Sequence, residues 1–310
     1  MVKDSVVMVL DCGGGTVDIT THKLTCNPDE RFLCEELLPS SGGCQWGSKF
    51  VDIHFEQFLE QFFGQEFFDI YKKNAMARLD ILKHFEMLKR KFNPGVDERS
   101  RLNLSYLGEE MSSSKLGEFI KAYNERLAEE ASESGATPVQ LKQRGASSLD
   151  LPPAIMQSFF RPLFNNIKEK VTEIINAAKD EKGCPVNFIF MVGGFSESPF
   201  LKNEIKKTFE NTESENPIQV LVPRRPQVSV IRGACMFGLN PRSITSRISK
   251  MTYGINTLTT FDLEKHPDEK KVIIEGEDFC EDVFDAFVRK GDAVGIDEVH
   301  VKTYCPVRAR

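Results

Sequence analysis

Asp11, Thr16 and Asp18 stand around an uninterrupted Gly13-Gly14-Gly15. Three consecutive glycines remove every Cβ from a tight turn, so backbone N–H groups can converge on an anion. The Thr16 hydroxyl adds a donor, and the carboxylates of Asp11 and Asp18 suit a hydrated Mg²⁺ or an oriented water. The chemistry of such a set is that of phosphate and magnesium. Two familiar phosphate loops are excluded. The chain has no GxxxxGK[ST], and no GxGxxG that opens a helix with an acidic residue about twenty positions on. Three glycines alone suit a plain hairpin turn equally well.

The elements that must position these residues follow from periodicity. Val6 to Leu10 is an apolar run, and a β-prone run with Ile19 and Thr20 follows Asp18, which predicts strand, glycine turn, strand. A third β-prone segment runs from Arg31 to Leu38 and leads into the glycine-punctuated turn PSSGGCQWGSKFVD. A helix is expected from about Lys49 to Phe63, with Phe50, Phe55, Phe58, Leu59 and Phe62 on its apolar face and Asp52 near its start, where a carboxylate suits the helix dipole. A second helical stretch, about Gln65 to Lys91, shows an apolar stripe of Leu79, Leu82, Phe85, Leu88 and Phe92. Its polar side carries Glu86, Lys89 and Arg90, and Asn93-Pro94-Gly95 ends it. By spacing alone, Glu86 and Arg90 form a surface i,i+4 ion pair.

Arg101 to Tyr106 alternates as a strand. A polar region follows, with a helix through Phe119, Ile120 and Tyr123, the poorly patterned EEASESGATP, and β-prone pieces at Val139–Lys142 and Leu149–Leu151. Residues 64–150 thus read as a small mixed subdomain with a mobile polar middle. Pro152 and Pro153 open a helix reaching about Lys179. Phe188 to Val192 is a buried strand, Gly193 and Gly194 turn the chain, and Pro199 opens the next helix. Paired glycines between strand and helix bring backbone and the positive helix end toward a ligand. A strand at Ile218–Val222 and a helix from Val228 to Gly238 complete this part. Beyond Pro241 the texture is β-rich, with strands at Met251–Thr257, Lys271–Ile274 and Glu298–Tyr304 and a short helix over DFCEDVFDAFV. The stop at CPVRAR leads us to expect an incomplete β unit.

Composition narrows the classes. At 310 residues the chain can bury a large core. Forty basic against 46 acidic residues, a net charge of -6, give no electrostatic case for nucleic acid or an anionic membrane. No apolar stretch is long enough for a membrane span, and no signal-peptide pattern opens the chain. The eight cysteines include no CxxC, which argues against a zinc or disulfide framework and for a reducing, cytoplasmic setting. The five isolated histidines read as surface or packed residues rather than catalysts, and the helical stripes of phenylalanine read as core.

The full string D-x-G-G-G-T-x-D, Asp11 to Asp18, closely resembles the second phosphate motif of the actin-like ATPases of the 70 kDa heat shock class. The resemblance implies a hairpin lying against the β and γ phosphates of ATP or ADP. Asp11, Thr16 and Asp18 become the catalytic candidates, with Mg²⁺ held through water by Asp11 and Asp18, and Gly13, Gly14, Gly15 and Thr16 cradle the phosphates. It further implies that E-x-x-K-R sends Glu86 and Lys89 to the ribose and Arg90 across the adenine, and that Gly193 and Gly194 close on the adenosine from the far side. Gly42, Gly47 and Asp52 match the family's glycine-rich segment, where Ser48 replaces a glycine. Gly233 and Ala234 match a position of close helix packing. Two residues depart on the nucleotide side: Glu197 stands where the family has an arginine and Gln227 where it has an aspartate.

DCGGGTVD, FEMLKRKF and VGGFSESP, with the tail TYGI…HPDEKK…CEDVFDAFV…YCPVR, look like the divergent twelfth branch of the 70 kDa heat shock family. The implied fold is α/β, the ribonuclease-H-like second lobe of an actin-like ATPase over 1–241. Its core is 1–63 and 151–241, with 64–150 inserted, and a partial β-rich region covers 242–310. The first lobe is not expected in this sequence, so the resemblance implies nucleotide binding with at most half of the hydrolytic machinery. Chaperone-like activity rests on the resemblance alone. Two other readings stay open: a non-catalytic scaffold that binds proteins on the face an opposing lobe would cover, and an actin-fold sugar or acyl kinase, against which the spacing of Glu86 to Arg90 speaks.

Overall fold

The computed structural model describes residues 4–26, 32–96, 99–135, 139–211 and 215–304. The chain opens with β1 (Val6–Cys12), β2 (Val17–Cys26) and β3 (Phe32–Cys44), then α1 (Lys49–Phe63), α2 (Gln65–Lys73) and α3 (Ala75–Lys91). Next come β4 (Ser100–Asn103), α4 (Ser113–Ser134), β5 (Lys142–Arg144), β6 (Ser148–Leu151) and α5 (Pro153–Asp180). They are followed by β7 (Phe188–Val192), α6 (Pro199–Phe209), β8 (Gln219–Leu221) and α7 (Pro226–Leu239). The last strands are β9 (Ile244–Ile248), β10 (Tyr253–Thr260), β11 (Lys271–Ile274), β12 (Glu277–Val288) and β13 (Ala293–Gly295). The fold is mixed α/β, with a central sheet and flanking helices. The chain divides into two compact units, one formed by Val7–Ile19 and Ser41–Met236, the other by 1–6, 20–40 and 237–310.

In the larger unit β1 pairs in parallel with β7, from Val7 opposite Phe188 to Asp11 opposite Val192, and β7 pairs in parallel with β8. Parallel strands covered on both faces read as near-continuous apolar runs, as VVMVL and FIFMV do. Helix α1 forms because Val51, Phe55, Phe58, Leu59 and Phe62 recur at helical spacing and are all buried, and it stops at Gly64, whose φ of +74° suits a residue without Cβ. Its phenylalanines nucleate an aromatic core. Phe55 stacks on Phe85 of α3 with centroids 3.8 Å apart, Phe159 of α5 meets both edge-on, and Phe58 and Phe62 reach Tyr123 of α4. Such ring pairs contribute about 0.5–1.5 kcal/mol each beyond area burial. His54 donates from Nδ1 to the Phe159 carbonyl, and His84 Nδ1 accepts the Asn103 N–H, so both are packing residues as expected. A small antiparallel sheet, β4-β6-β5, is pinned by buried Asp150 between Arg101 and Arg144.

Several elements differ from the sequence expectation. The stretch 65–91 is two helices, because the Asn74 side chain accepts the Ala77 N–H and caps a new helix. On α3 the buried residues are Ala77, Ile81, Phe85 and Lys89; the expected stripe holds at Phe85 and at Phe92 just beyond the helix, while Leu82 and Leu88 are only half-buried. Leu79 is exposed, while Lys89, placed by pattern on the polar side, is buried. Strand β3 runs on to Cys44, through half of the expected glycine turn, and Arg31 lies outside the described residues. The expected strand to Tyr106 stops at Asn103 and gives way to a 3-10 turn. The expected excursion at 129–138 is helical through Ser134 and closes on Gly135 in the left-handed conformation, with 136–138 outside the described residues. Of the expected strand 139–142, only Lys142 is in a strand.

In the smaller unit β3 pairs in parallel with β9, and β9 antiparallel with β13. A separate antiparallel sheet has the order β10-β12-β11. DFCEDVFDAFV is therefore not a helix but β12, paired on both edges. Phe279, Val283 and Phe287 mimic helical spacing, yet β-branched and aromatic residues flanked by two β-prone neighbours gain more from ladder pairing. Glu298–Tyr304 forms no strand: Lys302 and Tyr304 are held through their side chains by Asp285. CPVRAR, residues 305–310, lies outside the described residues. Gly233 and Ala234 are exposed, and a Cβ built on Gly233 meets nothing within 4 Å, so close packing is not their role among the described residues.

Candidate functional site

The glycine turn between β1 and β2 is polarised by what lies behind it. Gly47, Ser48 and Lys49, at the N-terminus of α1, donate their N–H groups to the carbonyls of Gly15 (3.3 Å), Gly13 (3.2 Å) and Gly14 (2.8 Å), and the Thr16 carbonyl accepts from Gly13 N–H (2.9 Å). In a trans peptide plane the carbonyl of one residue and the N–H of the next point in opposite directions. With the carbonyls of 13, 14 and 15 turned toward α1, the N–H groups of Gly14, Gly15 and Thr16 point away from it. Those N–H groups have no acceptor among the described residues, and all three residues are exposed. Three outward donors on one turn suit an anion. The helix N-terminus is spent on shaping the turn.

This arrangement depends on Gly47. A Cβ there would lie 2.5 Å from the Gly14 oxygen and 2.6 Å from the Gly14 and Gly15 carbonyl carbons, all backbone atoms. Gly47 was legible in sequence as a loop glycine, but nothing in its spacing says which backbone it must touch. Gly42 lies close to the Asp18 side chain, and the Gly43 N–H donates to Asp18 Oδ1 at 2.8 Å. Thr16 Oγ1 donates to the other Asp18 oxygen at 3.1 Å. Asp18 is thus largely an internal brace. The Asp11 carboxylate, half-buried near the end of β1, has no hydrogen-bond partner among the described residues, while the Asp11 main chain pairs with Val192. Burial, and then the charge of Asp18, push its carboxyl above the ordinary aspartate range. No Lys or Arg pairs with either carboxylate among the described residues.

Gly193 brings β7 to the same place. Its φ is +82°, and a Cβ on it would lie 2.4 Å from Asp11 Oδ1 and from the Cys12 oxygen. Its N–H donates to the Pro226 carbonyl, fixing the turn against the start of α7, while Gly194, Glu197 and Gln227 are exposed nearby in sequence. Cys12 is fully buried and its thiol is pushed up to about 12, chiefly by burial, so it stays neutral and serves packing.

Glu86, Lys89 and Arg90 occupy the last turn of α3. Arg90 donates Nε to Glu86 Oε1 at 2.6 Å and leaves most of its guanidinium exposed, in the field of Glu197. Lys89 behaves differently. Its side chain is only 6% exposed, and its ammonium meets Asp52 Oδ1 (2.8 Å) and Oδ2 (2.9 Å), Glu86 Oε2 (2.5 Å) and the Ser48 carbonyl (3.4 Å). Burial raises Glu86, but its bonds from Lys89 and Arg90 together outweigh that and hold it below its usual range. At Asp52 burial prevails over Lys89, and the carboxyl is raised.

The three strings singled out in sequence are therefore joined by contact. Gly193 sits against Asp11 and Cys12, and Lys89 reaches Ser48, whose N–H holds Gly13. Among the described residues no group of three or more His, Cys, Asp or Glu side chains is arranged to hold a metal ion. Two carboxylates near an anion site still fit Mg²⁺, which keeps most of its waters and takes one or two carboxylates together with phosphate oxygens. The seven described cysteines are free thiols. No helix of the described residues is long and apolar enough to cross a membrane.

No family model matches the chain. Over 302 residues, 97% of its length, the chain is 30% identical to heat shock 70 kDa protein 12A of Homo sapiens and to that of Mus musculus. It is also 30% identical over 302 residues to heat shock 70 kDa protein 12B of Homo sapiens. The chain spans about two fifths of these relatives, 42% of the first two and 41% of the third. The homology to these proteins thus runs along nearly the whole chain and covers less than half of theirs.

Proposed function

We propose that this chain is the second lobe of an actin-like ATPase domain of the divergent 70 kDa heat shock family and that it binds Mg²⁺–ATP or –ADP. The observation that carries the reading is the polarised turn, with Gly14, Gly15 and Thr16 presenting unclaimed N–H groups outward. The homology, continuous over 97% of the chain, supports it. In this reading the N–H groups take the β and γ phosphates, and Asp11 with Asp18 holds the waters of Mg²⁺. Arg90 covers the base, Glu86 orients it and faces the ribose, and Gly193-Gly194 allows close approach from the far side. Mg²⁺ supplies charge neutralisation between phosphate and carboxylates.

Binding with little turnover follows from the same groups. Phosphoryl transfer needs charge stabilisation and a positioned nucleophile around the phosphate. On the hairpin Asp11 is the one carboxylate without a hydrogen-bond partner, and no described Lys or Arg pairs with it. In this reading Glu197 adds no second cation to the base beside Arg90, and Gln227 adds no carboxylate on the nucleotide side.

Titration of the purified chain with Mg²⁺–ATP tests the reading through Gly14. A Cβ on Gly14 meets nothing within 4 Å and the residue has no positive φ, so Gly14→Ala should melt like the parent. The methyl stands on the exposed turn, and nucleotide affinity is expected to fall about tenfold or more, as for a lost pair of charged hydrogen bonds. Phosphate release by the parent should stay at the buffer rate. Equal affinity in parent and variant, or clear hydrolysis abolished by Asp11→Ala, would overturn the corresponding half of the reading.

Acid should weaken the site early. Because the Asp11 carboxyl is raised in the folded chain, the native state holds that proton more tightly than the unfolded one. Its ionisation therefore opposes folding at neutral pH, and the penalty is relieved as pH falls through the raised value. Magnesium needs the carboxylate, so Mg²⁺-dependent nucleotide affinity should drop across that same window, above the midpoint of an ordinary aspartate. Asp11→Asn should flatten the profile; an unchanged profile assigns the titration to another group.

A further inference from the structure

We propose that Lys89 is a positioning residue that ties α3 to the first turn of α1 and so holds the glycine turn in its anion-receiving shape, rather than a group that touches the ribose. The proposal rests on the reading that the turn binds phosphate, and it assigns one of the presumed ligand contacts to a different task. The geometry carries it. An ammonium has three hydrogens, and the Lys89 ammonium already has Asp52, Glu86 and the Ser48 carbonyl within reach. With its side chain 6% exposed, it has neither a spare donor nor an open approach for a sugar hydroxyl.

What it holds matters more. Ser48 and Lys49 donate to the carbonyls of Gly13 and Gly14, and Asp52 lies on the first turn of the same helix. The Ser48 side chain makes no capping bond to α1, so this helix start lacks the usual side-chain lock. Lys89 binds the Ser48 carbonyl and Asp52 together. A path of direct contacts then runs from Arg90 through Glu86 and Lys89 to Ser48 and on to Gly13. The other carboxylate near Asp52, Glu56, is held by Arg78 and Tyr71 and does not compete for Lys89.

Lys89→Met, Asp52→Ala and the double variant test this with two probes, Mg²⁺–ATP and Mg²⁺–tripolyphosphate, the second having neither ribose nor base. Amide hydrogen exchange without ligand is read on peptides covering 11–18 and 44–50. If Lys89 positions the turn, both single variants exchange about tenfold faster in those peptides while the β7 peptide is unchanged. Both probes weaken by the same factor, and the double variant is no worse than either single one. Weakened ATP binding with tripolyphosphate unaffected would return Lys89 to the ribose and overturn the proposal, as would unchanged exchange in both peptides. Should the parent bind neither probe, the phosphate reading fails, and the exchange of the ligand-free variants still decides for or against the tie. Should Lys89→Met not fold, Asp52→Ala carries the same expectations from the more exposed partner.

Discussion

Gly47→Ala is expected to break the junction between the glycine turn and α1. Its Cβ would stand 2.5–2.6 Å from three backbone atoms of Gly14 and Gly15, and neither main chain can retreat. The turn is held by three N–H groups of residues 47–49, and α1 is held by its aromatic core. Overpacking against yielding side chains costs about 1–3 kcal/mol, and rigid backbone places this variant at or above the upper end, about 3 kcal/mol. For a unit of this size, that corresponds to a fall in melting temperature of roughly 6–12 °C. Nucleotide binding should be lost as well, because the outward N–H groups depend on where the carbonyls behind them are tied. Thermal and denaturant unfolding of the variant beside Gly14→Ala provides the check. The two substitutions add the same methyl on either side of one junction, so equal melting curves would contradict the close approach.

Gly193→Ala carries the second large effect, from two causes at once. The residue has φ +82°, a region that disfavours any Cβ by about 1–2 kcal/mol. The same Cβ would lie 2.4 Å from Asp11 Oδ1, 2.4 Å from the Cys12 oxygen and 2.7 Å from its carbonyl carbon. The side-chain oxygen can swing aside, but the Cys12 backbone belongs to β1, which is paired with β7 through Asp11 and Val192. A loss of about 3–4 kcal/mol is expected. Gly194→Ala is the matched control. Its Cβ meets nothing within 4 Å and its φ is not positive, so it should fold normally. A calorimetric scan of the two variants should separate them by several degrees, and a Gly193→Ala chain that melts with Gly194→Ala would show that β7 does not approach β1 this closely.

The legible part of this protein was local. The β1 and β7 runs were apolar without alternation, as buried parallel strands are, and α1 announced itself by phenylalanines at helical spacing. The misreadings were also instructive. The run Phe279, Val283, Phe287 has helical spacing, but the chain gains a two-edged ladder there, which no window of eleven residues can reveal. The break at Asn74 turned on one side-chain cap that competes with a continuous apolar pattern. Lys89 was misplaced for a similar reason. A charged residue is assigned to the polar face by default, and it is buried here because Asp52, 37 positions earlier, meets it.

By itself the sequence determined the chemistry available: three glycines, a hydroxyl and two carboxylates between two strands, and paired glycines after a buried strand. Residue type and short-range spacing suffice for that, because turn conformations and strand periodicity are local properties. Only the tertiary structure decided which way that chemistry faces. The turn's carbonyls are claimed by the start of α1, and its donors therefore point outward. Likewise Asp18 is braced, Asp11 is left without a partner and Lys89 is enclosed. Those outcomes depend on hydrogen bonds between segments 25 to 37 residues apart, and no local pattern records them.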